Sequence, residues 1–232
     1  MNPGVIELAK KYFMQKMQLG IKEIYLPETL NKYPEKKIDK EEPVKSLDRL
    51  YAEYHLCQNC RLGRSRKNFV FGEGDPGASL MFIGEAPGYD EDVAGRPFVG
   101  KAGMLLDKII NAMGLRRKEV YIANILKCRP PDNRDPSPIE AESCMPILIK
   151  QIQIIKPKFI CLLGRIAAHH ILEINDSVNR LRGKFYDFKG AKAMVTYHPA
   201  ALLRHESWKK QTWEDIKSLM NIMGLKIPEK KN

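Results

Sequence analysis

Four short runs of apolar residues along the chain predict buried β-strands. The runs cover residues 79–84, 120–124, 159–164 and 193–197, and each is too short to form a helix. The first run ends in the sequence GEAPG at residues 84–88, where glycine and proline disfavour a continuing strand. The sequence therefore predicts at least four strands that end in sharply defined loops.

Segments with helical spacing of apolar residues separate these strands. They cover about residues 44–56, 102–113, 139–155, 166–172 and 208–223, and Gly114 and Pro157 mark the ends of two of them. Strands that alternate with helices favour a parallel sheet with helices on both faces. The pattern thus predicts an α/β fold.

The first fifty residues have a different character from the rest of the chain. Residues 3–19 form an amphipathic helical pattern, and the polar, proline-bounded stretch 31–43 predicts a linker before a helix that starts at Val44, with Ser46 as its cap. Residues 18–25 loosely resemble the peptide that docks on sliding clamps, but they lack its aromatic pair, and a helix end packed on the core is the preferred interpretation. We therefore expect a helical extension and linker at 1–44, a main domain at 45–226 and a polar tail at 227–232.

The residues with the most chemical interest follow the predicted strands. Glu85, Asn124, Gly164 and His198 each lie at the carboxyl end of a different strand. In a parallel sheet these ends share one edge, which is where α/β proteins bind ligands. Each residue alone has a simpler interpretation as a turn or cap, but their joint placement predicts one cleft.

The charge of the chain restricts its partners. The 232 residues include 39 Lys and Arg against 28 Asp and Glu, a net charge of +11 that lies mostly after residue 50. A positive field suits a polyanion such as nucleic acid, although surface lysines also serve solubility alone. The sequence has no apolar run of membrane-spanning length and no signal-peptide pattern, so we expect a cytoplasmic, nucleoid-associated protein without a membrane partner.

Four of the five cysteines have the spacing of metal ligands. Cys57 and Cys60 form a C-x-x-C pair, and Cys128 and Cys144 form a second, wider pair. Four thiolates suit zinc or an iron–sulfur cluster, and a redox-active C-x-x-C is a third interpretation. Cys161 lies in a strand of apolar residues and reads as a core thiol. Bound metal would join the segment before the sheet to the basic loop after the second strand.

Several motifs together resemble the iron–sulfur (family 4) uracil-DNA glycosylases. The motifs are GEAPG at 84–88 with Glu91, GRPFVG at 95–100, YIAN at 121–124 running into KCRPP at 127–131, and HPAALLR at 198–204. The resemblance covers about residues 51–223 and leaves residues 1–50 outside it. It implies a three-layer α/β/α sandwich around a four-stranded parallel, twisted sheet, with base flipping into the cleft.

The resemblance also implies roles for individual residues. A [4Fe–4S] cluster would bind the four cysteines named above, without any nucleotide cofactor. Phe98 would stack on the flipped uracil, Asn124 would bond its polar edge, and His198 would stabilise the departing base. The other assignments are base contacts from Glu85, Ala86 and Pro87, exclusion of the thymine methyl group by Glu91, insertion of Leu202 into the duplex, and phosphate contacts from Arg129 and Arg204.

Hydrolysis of the glycosidic bond would leave an abasic site, the first step of base excision repair. Ala86 stands where the first glycosylase family has a water-activating aspartate, so we expect Asn133, with Glu85, to position the water. Three alternatives remain: a non-catalytic nucleic-acid-binding module of the same fold, a redox protein, and a member that traps uracil on a histidine. The loop at 128–134 contains no histidine, which disfavours the last.

Overall fold

The computed structural model describes residues 41–228. The predicted helix at 3–19, the clamp-like residues 18–25, most of the predicted linker and the last four residues lie outside this range. The helix that was expected to start at Val44 begins at Glu41, so Pro43 lies in its first turn, where proline is tolerated. The linker prediction was therefore wrong for residues 41–43. Ser46 lies inside the helix and does not cap it. The predicted domain boundary between residues 44 and 45 falls within this helix.

Residues 41–228 build one mixed sheet of six strands. The strands are β1 Glu73–Gly74, β2 Leu80–Gly84, β3 Tyr121–Asn124, β4 Phe159–Leu163, β5 Phe185–Phe188 and β6 Ala191–Thr196, in the order β1-β3-β2-β4-β6-β5. The four central strands are parallel, as predicted, and β1 and β5 are antiparallel strands at the two edges. The sequence did not predict these edge strands, because β1 has two residues and β5 is largely exposed.

Helices cover both faces of the sheet. They are α1 Glu41–Tyr54, α2 Leu62–Ser65, α3 Tyr89–Ala94, α4 Lys101–Ala112, α5 Pro138–Ile155, α6 Arg165–Leu172, α7 Val178–Leu181, α8 Pro199–Arg204 and α9 Trp208–Met223. Short 3₁₀ segments occupy Arg117–Glu119 and Pro131–Asn133. The longer helices lie where the apolar spacing predicts them, whereas the short helices α2, α3, α7 and α8 were not predicted.

The core has two parts, one on each side of the sheet. Met81 and Ile83 of β2 pack into the part that contains residues of α1, α5 and α6, and Leu80 and Phe82 of the same strand pack into the part that contains residues of α4 and α9. Alternate side chains of a strand point to opposite faces, so both parts are organised by the same strand. The three-layer α/β/α architecture is confirmed.

Helix α5 connects the sheet to the loop that follows β3. Ser137 caps the helix, with its Oγ accepting from the main-chain nitrogen of Glu140 at 3.4 Å. The buried Glu140 carboxylate also accepts hydrogen bonds from Arg61 at 3.0 Å and Arg134 at 2.7 Å. This carboxylate therefore ties the segment after the C-x-x-C pair and the loop at 131–135 to one helix.

Candidate active site

A cavity of about 390 Å³ opens at the carboxyl edge of the parallel strands. Nine of the residues singled out from the sequence line it: Glu85, Ala86, Pro87, Glu91, Phe98, Asn124, Asn133, His198 and Arg204. They come from the loops after β2, β3 and β6 and from the segment before α4. The predicted cleft is present where the topology requires it.

Asn124 presents a buried amide to this cavity. It is the last residue of β3 and pairs with Gly84 of β2 in the sheet register. Its Oδ1 atom is buried and has no hydrogen-bond partner within residues 41–228. A Cβ atom at Gly84 would lie 2.4 Å from this oxygen and 2.5 Å from Cζ of Phe98, so only glycine fits between them. The free acceptor is therefore available to a ligand that donates a hydrogen bond.

Phe98 forms an apolar wall of the cavity and holds an unusual backbone conformation. Its φ of 50° lies in the left-handed region, which is unfavourable for a residue with a bulky side chain. Its ring centroid lies 5.5 Å from that of His198, with the two planes tilted by 31°. A planar ligand beside these rings would contact an aromatic face.

Arg117, which the sequence analysis did not single out, holds the backbone around Phe98. Its guanidinium donates to the main-chain carbonyl groups of Pro97 and Phe98, the latter at 3.1 Å. It also bonds Glu73 at 2.6 Å and Asp107 at 2.7 Å. No local motif marks this residue, because its partners lie 10 to 44 positions away along the chain.

Glu91 makes three hydrogen bonds to backbone nitrogens. One carboxylate oxygen accepts from Val99 at 2.8 Å and from Gly100 at 2.9 Å, and the other accepts from Gly88 at 3.1 Å. The carboxylate thus joins the loop after β2 to the segment that carries Phe98. The sequence predicted Glu91 at the base pocket but did not predict this second, structural use.

His198 is held as a neutral hydrogen-bond donor. It caps α8, with its Nδ1 atom accepting from the main-chain nitrogen of Ala200 at 3.1 Å. Burial, assisted by Arg204 and opposed by Glu91, lowers the pKa of His198 to about 4. The neutral ring therefore carries its proton on Nε2.

Glu85 is a carboxyl group that titrates near neutrality. Burial, together with the charge of Asp135 and against that of Arg165, raises the pKa of Glu85 to about 7. Asn133, its predicted companion, is exposed at the rim, and its Oδ1 accepts from Arg129 Nε at 2.8 Å. The amide oxygen of Asn133 is therefore already engaged, while the carboxyl of Glu85 is available.

The prediction that Leu202 enters the duplex does not agree with the structure. Its side chain is 1% exposed and packs inside the protein, whereas that of Leu203 is 46% exposed. A residue four positions after His198 lies about one helical turn along α8 on the same face, which is turned inwards. The next residue is rotated by about 100° and faces outwards.

The four cysteines of the predicted cluster converge beside α5. Cys128 and Cys144 are buried, and the partly buried Cys57 and Cys60 pack against the same part of the core. Three sulfurs accept N–H groups: Cys128 from Arg66 at 3.3 Å, Cys144 from the backbone of Lys127 at 3.2 Å, and Cys57 from the backbone of Asn59 at 3.5 Å. Among residues 41–228, no group of three or more His, Cys, Asp or Glu side chains is arranged to hold a metal ion.

Lys127 links these cysteines to the base pocket. Its fully buried ammonium group donates to the main-chain carbonyl of Asn124 at 3.0 Å and to Gln151 at 2.6 Å. Gln151 in turn donates to the carbonyl of Phe71 at 3.0 Å. The end of β3 and the cysteine-bearing loop are therefore fixed by one network.

A buried amide, a neutral imidazole and an aromatic wall around one cavity define a site for a planar heterocycle. A family model of the uracil DNA glycosylase superfamily matches residues 71–217, which include these groups. A type-4 uracil-DNA glycosylase of Archaeoglobus fulgidus is 42% identical over 193 residues, covering 80% of this chain and 97% of that protein. A protein of the same description from Saccharolobus solfataricus is 44% identical over 78% of this chain and 88% of its own length. Another, from Thermotoga maritima, is 44% identical over 65% of this chain and 80% of its own length.

The chain belongs to the type-4 uracil-DNA glycosylases of this superfamily. The resemblance drawn from the motifs is thereby confirmed, and the protein is a uracil-DNA glycosylase. Within residues 41–228 no helix has both the length and the apolar character needed to cross a membrane.

Proposed function

We propose that this enzyme flips uracil out of DNA into the cavity and hydrolyses its glycosidic bond, leaving an abasic site for base excision repair. The observation that carries the proposal is the buried Oδ1 of Asn124 between Gly84 and Phe98, which has no hydrogen-bond partner among residues 41–228. Uracil has an N–H donor flanked by two carbonyl acceptors, and one carboxamide offers a matching acceptor and donor. A bound uracil would satisfy an acceptor that is otherwise buried without a partner.

The chemical step depends on stabilising the departing base. The neutral His198 offers its Nε2 proton to the uracil O2, where negative charge develops as the bond to the sugar breaks. A low pKa suits this role, because the imidazole donates a hydrogen bond without having to gain or lose a proton in each turnover. The low-dielectric surroundings of the buried ring strengthen that interaction.

Water attacks the electron-deficient sugar, and Glu85 is the group we propose to orient it. Its carboxylate form, present above about pH 7, accepts a hydrogen bond from the water. The exposed Asn133 would assist only through its amide nitrogen, since its oxygen binds Arg129. Ala86 and Pro87 complete the floor beside the base.

Glu91 is proposed to exclude thymine. Its carboxylate is fixed by three backbone nitrogens and cannot swing aside without breaking them. A methyl group on the base would then meet a rigid, charged neighbour, which is an effective way to reject a slightly larger substrate.

Leu203, rather than Leu202, is proposed to fill the gap left by the flipped nucleotide. It is exposed on α8 next to Arg204, which lines the cavity and would contact a phosphate. Arg129 is proposed to make a second phosphate contact. We further propose a cytoplasmic location at the chromosomal DNA, where this substrate occurs.

We also propose that Cys57, Cys60, Cys128 and Cys144 hold a [4Fe–4S] cluster. The all-thiol donor set suits iron–sulfur chemistry, and the N–H groups directed at three of the sulfurs suit thiolate ligands. Once bound, the cluster would cross-link the segment before the sheet to the loop after β3.

The test uses oligonucleotides with one uracil, single-stranded or opposite guanine, and a thymine control. We expect cleavage at uracil alone, and only after alkali, as for an enzyme that leaves an abasic site. Asn124→Ala and His198→Ala should each lower kcat/KM at least about a hundredfold in protein that remains folded, and His198→Ala should also lose some stability because the cap of α8 is removed. A folded, brown wild-type protein that binds these oligonucleotides without cleaving them would instead favour the non-catalytic module.

A further inference from the structure

Tyr89 is an exposed aromatic residue at the rim of the cavity with two cationic groups over its ring. The side chain is 54% exposed, and the residue directly follows Gly88, which lines the cavity. Nζ of Lys67 lies 5.1 Å from the ring centroid, and the guanidinium carbon of Arg129 lies 5.2 Å from it. We call Lys67, Tyr89 and Arg129 the Tyr89 cluster.

The segments that carry the two cationic residues of the Tyr89 cluster are held by hydrogen bonds. The buried Asp92 of α3 accepts from the main-chain nitrogens of Lys67 at 2.9 Å and Asn68 at 3.3 Å. This anchors the Lys67 segment to the helix that begins with Tyr89. On the other side, Arg129 Nε donates to Asn133 at 2.8 Å. Three separate segments are thus fixed around one ring.

The charges of the Tyr89 cluster are not neutralised by carboxylates. Within residues 41–228, neither Lys67 nor Arg129 forms an ion pair, whereas the nearby Arg134 and Arg165 pair with Glu140 and Asp135. The two positive charges lie within about 10 Å of each other, which is one Debye length in 0.1 M salt. An anion bound beside the ring would be attracted by both charges.

We propose that the Tyr89 cluster binds one DNA phosphate next to the flipped uridine, a proposal that rests on the function proposed above. Lysine and arginine would neutralise the phosphate, and the tyrosine hydroxyl would donate to it. Tyr89 and Arg129 lie after β2 and β3, and Lys67 lies in the segment before β1, whereas Arg204 follows β6, on the other side of β4 in the sheet order. A DNA strand that crosses the mouth of the cavity would therefore have one phosphate bound by the Tyr89 cluster on one side of the flipped nucleotide and another bound by Arg204 on the other side.

The first test compares the salt dependence of binding to a single-stranded uracil oligonucleotide. The variants are Lys67→Gln, Arg129→Gln and Tyr89→Phe, and the matched control is Lys189→Gln. Lys189 also lies over an aromatic ring, that of Phe188, but it sits in the turn between β5 and β6, at the opposite edge of the sheet. We expect the Lys67 and Arg129 variants to lower the slope of log affinity against log salt by up to about 0.7, and the control to leave it unchanged.

The second test locates the contacted phosphate. Single methylphosphonate groups, which are uncharged, replace successive phosphates on each side of the uridine. A methylphosphonate at one of these positions should weaken binding by the wild type about five- to tenfold. The same methylphosphonate should have little further effect on binding by the double variant Lys67→Gln/Arg129→Gln. The proposal would be refuted if each methylphosphonate lowered the affinity of the wild type and of the double variant equally. It would also be refuted if the salt-dependence slopes of the Lys67 and Arg129 variants equalled that of Lys189→Gln.

Failure of this proposal is distinguishable from failure of the proposed function. A wild-type protein that excises uracil but shows no position-specific loss in the double variant would leave the glycosylase assignment in place and refute the Tyr89 cluster. A wild-type protein that excises no uracil would refute the function itself. Melting temperatures within about two degrees of the wild type would confirm that the surface substitutions leave the fold intact.

Discussion

Replacing Arg117 by alanine tests whether the strained conformation of Phe98 is maintained for binding uracil. The substitution removes hydrogen bonds to two main-chain carbonyls and to two carboxylates. A non-glycine residue in the left-handed region costs about 1–2 kcal/mol, and the arginine offsets that cost by holding the carbonyls on either side of the strained peptide.

The size of the effect follows from this strain. Without Arg117, an unopposed penalty of about 1–2 kcal/mol would leave roughly 3–15% of molecules with Phe98 in the competent position. We therefore expect kcat/KM on a single-stranded uracil oligonucleotide to fall roughly seven- to thirtyfold. Stability should also fall, by about 2–3 kcal/mol, since two charge-assisted bonds to buried carbonyls are lost.

The matched control is Arg96→Ala. Arg96 bonds only Glu73 within residues 41–228 and is 61% exposed, compared with 21% for Arg117. An exposed ion pair contributes little, so activity should stay within about twofold of the wild type. Arg117→Lys should recover part of the stability and less of the activity, because an ammonium group cannot reproduce the planar fork of four contacts.

The affinities for the two reaction products, free uracil and abasic DNA, distinguish a local effect on Phe98 from a general loss of stability. Affinity for free uracil should fall with kcat/KM in Arg117→Ala, since we propose that uracil stacks on Phe98. Affinity for abasic DNA should be unchanged, because abasic DNA has no base to stack. Our reasoning would be refuted if Arg117→Ala lost stability but kept wild-type affinity for uracil, or if affinity for both products fell equally.

Three further predictions concern other parts of the site. The rate should rise about tenfold per pH unit below pH 7 and level off above it, because we propose that the carboxylate form of Glu85 is the active one, and the pKa of His198, near 4, lies below this range. The kcat of Glu85→Gln should be lower and independent of pH in this range, and an unchanged kcat–pH profile would rule Glu85 out. Gly84→Ala should abolish uracil excision, measured beside Gly77→Ala, whose added Cβ meets no atom closer than 3.5 Å; equal activity of the two would contradict the close packing described. Arg66→Gln removes an N–H donor from the sulfur of Cys128 and from the carbonyls of His55 and Cys57, and it should lower the iron and sulfide content of the purified protein; full retention of both would show that these hydrogen bonds do not stabilise the proposed cluster.

The strand-end residues of the site were predictable because their position depends on simple periodicity. Apolar runs of about five residues locate β2, β3, β4 and β6, and the parallel topology then brings Glu85, Asn124 and His198 to one edge. These predictions needed no side-chain geometry, since the order of elements along the chain was enough.

The missed features depend on contacts between distant segments. Arg117 acts on Phe98 from a 3₁₀ segment after α4, and no local pattern connects the two. Leu202 was misassigned because spacing from His198 gives a position along α8 but not which face of that short helix is buried. The pKa of Glu85 likewise depends on burial and on Asp135, fifty residues later in the chain.

The five residues from Asn124 to Cys128 have a consequence for how this enzyme can diversify. One end of the segment carries the amide that faces the cavity and the other carries a cysteine thiol, with the buried Lys127 bonded to the Asn124 carbonyl. Any change that shifts the backbone at Asn124 would also move the sulfur of Cys128. The loop after β2 shares this constraint, because the main-chain carbonyl of Glu85 accepts a hydrogen bond from Leu126 at 3.0 Å. New base specificities should therefore arise more readily around His198, and a library randomised at 198–201 should yield more folded variants than one randomised at 124–128.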